Sequence, residues 1–183
     1  MIVREEQMEL KELTTRTLEL LGIETTDKMS ARLFEIVQNN DQKIYEQFVA
    51  LVDGDLTVDW LQMIYQYYQA DRKQKMQDYT PKSLADFMGL LAGESTNVID
   101  KCAGSGALTI QKWNRYHDQT FILYELDKKV IPFLLFNMAI RNISCTVYQA
   151  DILQVEIYKI YKIVKGERFG LFKEVENEYG SNF

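Results

Sequence analysis

Residues 100–108 read Asp-Lys-Cys-Ala-Gly-Ser-Gly-Ala-Leu, and this stretch decides the fold that the sequence predicts. The apolar pair Val98-Ile99 comes just before it, which indicates a short strand over 97–100. A helical pattern follows from about residue 107 to residue 116. Glycines permit a tight turn between strand and helix, and the N-terminus of the helix favours a negatively charged ligand group. We therefore expect the first strand–turn–helix unit of a parallel α/β sheet, with a ligand at the turn.

Two further strands are predicted downstream, and each ends in an acidic residue. The strand over 121–125 ends in Glu125, and the strand over 146–151 ends in Asp151, with a helical pattern between them. This alternation favours parallel strands joined by right-handed crossovers. The two acids would then join Asp100 around one crevice at the carboxyl edge of the sheet. The alternative is that these acids only cap the helices that follow them.

The glycine turn by itself does not define the ligand. The dinucleotide fingerprint Gly-x-Gly-x-x-Gly is missing, because Thr109 stands at its last position, and no Walker lysine pattern follows the turn. An acid at the end of the second strand can still accept hydrogen bonds from both ribose hydroxyls of a nucleoside cofactor.

The chain divides into two predicted units. Residues 1–78 show helical periodicity only, with expected breaks at Gly22, at Asn39-Asn40 and at the turn over 53–55. Residues 79–183 form the predicted ligand-binding domain. This domain opens with an amphipathic helix over 82–92, whose apolar residues are Leu84, Phe87, Met88 and Leu91. It closes with a predicted hairpin, whose strands run over 155–164 and 168–172.

Charge and composition narrow the class of protein. The net charge is −6, and all of it lies in residues 1–78, which hold 9 Lys/Arg against 15 Asp/Glu. Neither unit carries the basic patch of a self-sufficient nucleic-acid binder. No apolar run is long enough to span a membrane, and no signal peptide is evident. Cys102 and Cys145 give no disulfide framework and no metal spacing, so a reduced, cytoplasmic setting is expected.

Four ordered motifs make the resemblance to a known family specific. These are Tyr79-Thr80-Pro81, then the strand and glycine turn over 98–108, then Tyr124-Glu125-Leu126-Asp127, and finally Ala150-Asp151-Ile152-Leu153. In this order and spacing they resemble the modification subunit of type I restriction–modification systems, and more broadly the N6-adenine DNA methyltransferases. The resemblance implies a Rossmann-like class I methyltransferase sheet, truncated in this chain, that binds S-adenosylmethionine.

The resemblance also implies a role for each motif. The Thr-Pro segment closes over the methionine end of the cofactor, the glycine turn cradles its amino-acid moiety, the second acid holds the ribose and the third acid meets the adenine. Asn137 and Asn142 fall where the helix of this family carries asparagine. The cofactor-binding residues implied are Tyr79, Thr80, Pro81, Asp100, Ala103, Gly104, Ser105, Gly106, Leu108, Glu125, Leu126, Asp151 and Ile152.

Three departures from the family pattern bear on activity. Lys101 stands where proline is usual, and Ala103 stands where cysteine is common. The Asn-Pro-Pro-aromatic motif that binds the flipped adenine cannot exist, because no proline follows Pro132. We therefore assign no catalytic or metal-binding residue, and expect a chain that reaches DNA through a specificity subunit or another partner, or is inactive alone. The alternatives are an accessory protein that binds cofactor or partner, and a methyltransferase of RNA or small molecules; an oligomer is compatible with each.

Overall fold

A computed structural model describes residues 2–68 and 80–175. The elements alternate as the sequence predicts, with helices alone up to Tyr68 and strands interleaved with helices from Asn97. In chain order, the helices are α1 Ile2–Leu21, α2 Met29–Gln38, α3 Gln42–Leu51, α4 Trp60–Tyr68, α5 Lys82–Leu91, α6 Ala107–Arg115 and α7 Ile131–Ile140, and a short 3-10 helix covers Thr26–Lys28. The strands are β1 Asn97–Asp100, β2 Thr120–Glu125, β3 Cys145–Asp151, β4 Glu156–Val164 and β5 Leu171–Val175.

The five strands form one mixed sheet in the order β1-β2-β3-β4-β5. The first three strands are parallel, with Asp100 beside Leu123 and Glu125 beside Gln149. The last two strands form the predicted hairpin and run antiparallel to their neighbours. This architecture confirms an α/β fold of the Rossmann-like methyltransferase kind, and it leaves β1 at one edge of the sheet.

Helix α7 explains how the helical segment and the sheet share a core. All ten residues of this helix are buried, as expected for a helix that is apolar on every side. The helix lies between the sheet and the N-terminal helices, and its Phe136 ring meets Tyr45 and Phe48 edge-on at centroid distances of 5.4 and 5.2 Å. The helical segment therefore covers one face of the sheet, and residues 2–68 contain helices and no strand, as predicted.

Helix α5 forms where the amphipathic pattern predicts it, but its apolar face is not buried. The positions turned inward are the small residues Ala85 and Gly89, which pack against α6. The large residues are exposed, with 54% of Phe87 and 65% of Leu91 accessible to solvent. Small residues permit a close approach between the two helices, and this approach turns the large apolar side chains outward.

Candidate functional site

The glycine turn between β1 and α6 is held by its own backbone. The Ala103 amide donates a hydrogen bond of 2.9 Å to the Tyr124 carbonyl at the end of β2. The Asp100 carboxylate accepts from the Cys102 amide at 3.1 Å. Gly104 has φ 56° and Gly106 has φ 101°, conformations that side chains other than glycine rarely adopt. The turn is therefore fixed against the end of β2 before any ligand binds.

Gly106 is also required by packing. A Cβ atom at this position would lie 2.9 Å from Cε of Met138 and 3.0 Å from Cδ1 of Leu134, both on α7. Gly104 differs, because a Cβ atom there would meet nothing within 4 Å. Gly106 thus lets the start of α6 approach α7, whereas Gly104 is needed only for the backbone conformation of the turn.

Glu125 links the end of β2 to the glycine turn. One carboxylate oxygen accepts from the Gly104 amide at 2.9 Å, and the other accepts from the Asp127 amide at 2.7 Å. Burial raises the pKa of Glu125 above the ordinary value, and it raises the pKa of Asp100 in the same way. The Leu126 amide also bonds this carboxylate, and because a carboxylate has about four acceptor sites, Glu125 keeps acceptor capacity for a ligand donor.

These groups open into one cleft. Its lining includes Thr80 ahead of α5, Gln62 on α4, Glu125, residues 102–105 of the turn, and Ala107 and Leu108 at the start of α6. The buried Ser105 hydroxyl also lies here, beside the Asp59 carboxylate, whose pKa it lowers through a hydrogen bond. Backbone amides at a helix N-terminus and a carboxylate together suit a ligand with a carboxylate at one end and hydroxyl donors at the other.

The remaining predicted site residues lie outside this cleft. Asp151 and Ile152 line a neighbouring cleft at the same edge of the sheet, together with Lys101 and Tyr124. One oxygen of Asp151 accepts from the amides of residues 153 and 154, at 2.9 and 3.0 Å. Asp100 lines a third cleft, between β1, α5 and α6, so Asp100, Glu125 and Asp151 lie in three clefts and not around the one crevice that the sequence predicted. Gly106, Leu126 and Pro81 line none of these clefts, and Tyr79 lies outside the described residues.

Sequence reasoning missed a buried polar network behind the glycine turn. Asn137 on α7 donates from its amide nitrogen to the Asp59 carboxylate and to the Ser105 carbonyl, both at 2.9 Å. Arg141, one turn later, donates to the Asn137 side chain and to the carbonyls of Leu56 and Val58. The signal available in the sequence was an asparagine within a helix that is otherwise entirely apolar. Nothing in the sequence connected it to Asp59, which is 78 residues away.

This network places opposite charges inside the protein. Burial raises the pKa of Asp59, while the nearby Arg141 guanidinium acts in the opposite direction. Burial lowers the pKa of Arg141 to about 10, which leaves it charged at neutral pH. Because Arg141 and Asn137 bind both the loop before α4 and the glycine turn, the network fixes the helical segment to the site.

The comparisons with known proteins identify the family. The family model for the N-6 DNA methylases matches residues 53–163, more than half of the 183 residues. The chain belongs to this N-6 DNA methylase family. No curated protein and no solved structure matches the chain significantly.

Membership of the N-6 DNA methylase family confirms the broader part of the resemblance seen in the sequence, to the N6-adenine DNA methyltransferases. The matched range begins in the turn before α4, so it includes Asp59 as well as the glycine turn and β4. The division at residue 78 stays a prediction. Within residues 2–68 and 80–175, no group of histidine, cysteine and acidic residues could hold a metal ion. The same part of the chain contains no helix that is long and apolar enough to cross a membrane.

Proposed function

We propose that the cleft at the glycine turn binds S-adenosylmethionine and that the chain is a modification-subunit-like member of the DNA N6-adenine methyltransferases. The observation that carries this proposal is the position of Glu125, whose carboxylate contacts the Gly104 amide and faces the same cleft. This geometry places an acceptor for ribose hydroxyls directly beside the backbone amides of a helix N-terminus.

The residues of the cleft suit the parts of this cofactor. The start of α6 would hold the carboxylate of the methionine moiety, with the Ser105 hydroxyl beside it. Glu125 would accept from the ribose hydroxyls, and Thr80 would close the methionine end. Asp151 and Ile152, in the neighbouring cleft, would meet the adenine ring. When bound, the cofactor supplies a methyl group that its sulfonium already activates.

The chain itself would mainly contribute orientation. The hydrogen bonds from Ala103 to Tyr124 and from Gly104 to Glu125 fix the turn, so little reorganisation is needed on binding. The polar network behind the turn holds Ser105 in place through its carbonyl. These contacts position the reacting methyl group, which is the main requirement for transfer from an activated sulfonium.

In this proposal, binding of the target DNA requires a partner. The chain has no Asn-Pro-Pro-aromatic motif to bind a flipped adenine, and its net charge of −6 opposes contact with phosphates. We propose that a specificity subunit or another partner supplies DNA contacts. The same missing motif favours the second candidate, an accessory protein that binds the cofactor without transferring the methyl group.

Calorimetric titration tests the cofactor site. S-adenosylmethionine and its demethylated product are expected to bind, and Glu125→Gln is expected to weaken binding by about 1.5–3 kcal/mol, the usual contribution of a hydrogen bond to a charged group. The matched control is Glu167→Gln on the exposed turn between β4 and β5. Absence of binding at millimolar cofactor, or equal effects of the two substitutions, would contradict the proposed site.

A methyl-transfer assay tests the need for a partner. The pure chain, given labelled S-adenosylmethionine and duplex DNA of mixed sequence, is expected to transfer no measurable label. Unstacking the target base costs a few kcal/mol that this chain has no motif to offset. Incorporation at adenine that Gly104→Asp abolishes would show that the chain is a complete enzyme.

A further inference from the structure

The free edge of the sheet combines three features that lie beside the cleft at the glycine turn. Strand β1 pairs only with β2 among the described strands, so one row of its backbone groups has no partner in the sheet. Helix α5 beside it exposes its large apolar side chains. A groove between these two elements and α6 is lined mainly by apolar residues, and its polar side chains are Asp100, Lys101, Thr109 and Lys112.

The register shows which backbone groups are free. The Thr96 carbonyl accepts from the Thr120 amide, so the backbone groups of Thr96 point toward β2. Since these groups alternate along a strand, those of Asn97 and Ile99 point away from β2. The Asn97 carbonyl accepts from the Ser95 hydroxyl at 3.3 Å, so the groups left for a further strand are the Asn97 amide and the amide and carbonyl of Ile99. The Ile99 side chain is 60% exposed at the same edge. Unpaired backbone groups beside apolar side chains form a template for another strand.

The groove beside this edge contains an ammonium group without a hydrogen-bond acceptor. Lys112 on α6 is 3% exposed, and its Nζ atom has no hydrogen-bond partner among the described residues. This Nζ atom lies over the Tyr116 ring, 4.4 Å from the ring centroid. The Thr109 hydroxyl, one turn earlier, is also buried and unpartnered. Asp100 also lines the groove, but Lys101 and Lys112 together leave it with a net positive charge. A buried ammonium without an ion-pair partner is costly, so this groove favours an incoming carboxylate beside Lys112.

The outward face of α5 supplies the apolar part of the surface. Leu84, Phe87, Met88, Leu90 and Leu91 are each between 45% and 65% exposed, and Met88 also lines the groove. A contiguous apolar patch of this kind marks an interaction site on a soluble protein. The patch lies along the groove, so a chain seated there would contact backbone, ammonium and apolar side chains together.

We propose that the free edge of β1, the Lys112 groove and the outward face of α5 bind an extended, apolar segment of another polypeptide that carries a carboxylate side chain. The segment adds a strand to β1 through the backbone groups of Asn97 and Ile99. Its carboxylate pairs with Lys112, and its apolar side chains cover α5. Because β1 leads directly into the glycine turn, the docked segment would also reach the cofactor cleft. This proposal does not depend on the identity of the cofactor.

The probe is a capped heptapeptide of alternating valine and threonine with one central aspartate, titrated by calorimetry into the full chain. We expect sub-millimolar binding, about tenfold weaker binding when asparagine replaces the aspartate, and slower amide exchange at Asn97 and Ile99 in the complex. Lys112→Met keeps the apolar stem and is expected to remove the difference between the two peptides. The matched control is Lys173→Met on β5, the opposite edge of the sheet, which is expected to preserve that difference.

Three results would overturn the proposal. The first is absence of binding at 5 mM peptide, a concentration at which binding with a free energy of only about −3 kcal/mol would still be detected. The second is binding that Lys112→Met leaves unchanged, or amide protection on β5 instead of β1. The third is concentration-dependent dimerisation in sedimentation that Ile99→Lys abolishes, because the occupant would then be a second copy of the chain. Thermal unfolding of each variant verifies that it is folded.

Discussion

The substitution Gly106→Ala tests the packing of the glycine turn against α7. The new methyl group would lie within 3.0 Å of both Met138 and Leu134, closer than carbon atoms approach without displacement. Both neighbours are fully buried, so neither can move into solvent. Overpacking of this kind costs about 1–3 kcal/mol. The φ angle of 101° adds backbone strain of about 1–3 kcal/mol for alanine.

Gly104→Ala provides a matched control, because it changes the same turn without any steric contact. Its φ of 56° lies in the left-handed region, which costs alanine about 1–2 kcal/mol. Nothing lies within 4 Å of the added methyl group. We therefore expect Gly106→Ala to lower the free energy of unfolding by about 3 kcal/mol, and Gly104→Ala by about 1 kcal/mol.

Urea unfolding of both variants at pH 7, without ligand, measures this difference. The proposed cause can be checked with Met138→Ala, which removes the nearest atom to the new methyl group. Gly106→Ala should cost less in that background than in the native chain, because part of the overlap is gone. Equal destabilisation by the two glycine substitutions, or the same cost of Gly106→Ala with and without Met138, would refute the packing argument.

Two further predictions concern the buried charges. Asp59→Asn leaves the Arg141 guanidinium without its buried counter-charge, so we expect a loss of about 3–5 kcal/mol in urea unfolding, with Asp118→Asn as the exposed control. Burial raises the pKa of Glu125, and its ionised form accepts the ribose hydroxyls. Cofactor affinity, measured by calorimetry from pH 8 down to 5, should therefore fall below that pKa by up to about tenfold per pH unit. Glu125→Gln should flatten this profile; an unchanged slope would contradict the assignment.

The folding stability of the ligand-free chain should change with pH in the opposite direction to cofactor affinity. The pKa values of Asp59, Asp100 and Glu125 are all raised by burial. Their protonated forms are therefore favoured by folding, and this contribution to stability is present at low pH and is lost as the pH rises through the raised pKa values. Ligand binding that favours the ionised form of Glu125 would offset part of that loss.

The parts of the fold that the sequence predicted depend on local pattern. Strand, glycine turn and helix are encoded within residues 97–116, and their order restricts the sheet to parallel pairing for the first three strands. The hairpin after Asp151 was predicted from the turn residues near Gly166. The antiparallel pairing of β3 with β4 is also local, since only residues 152–155 separate the two strands, but these residues are Ile-Leu-Gln-Val and carry no turn signal.

Two features could not be predicted from the sequence because they depend on tertiary contacts. The apolar pattern of α5 indicates an amphipathic helix correctly, but the side that packs is set by Ala85 and Gly89, which fit closely against α6. The partnership of Asp59 with Asn137 joins two positions 78 residues apart. A polar residue within an apolar helix indicates a buried partner, and only the folded chain shows which partner it is.

The three strand-ending acids left two interpretations open in the sequence, as ligand-binding groups or as caps. In the structure Asp100, Glu125 and Asp151 each accept backbone amides within the turn that follows their strand. Glu125 differs, because its second oxygen also accepts from Gly104 in a turn 21 residues earlier. A cap needs only the local bond, whereas this second bond aims the carboxylate at the glycine turn. Capping and ligand binding are therefore compatible for Glu125, since the amides fix its orientation and leave acceptor capacity toward the cleft.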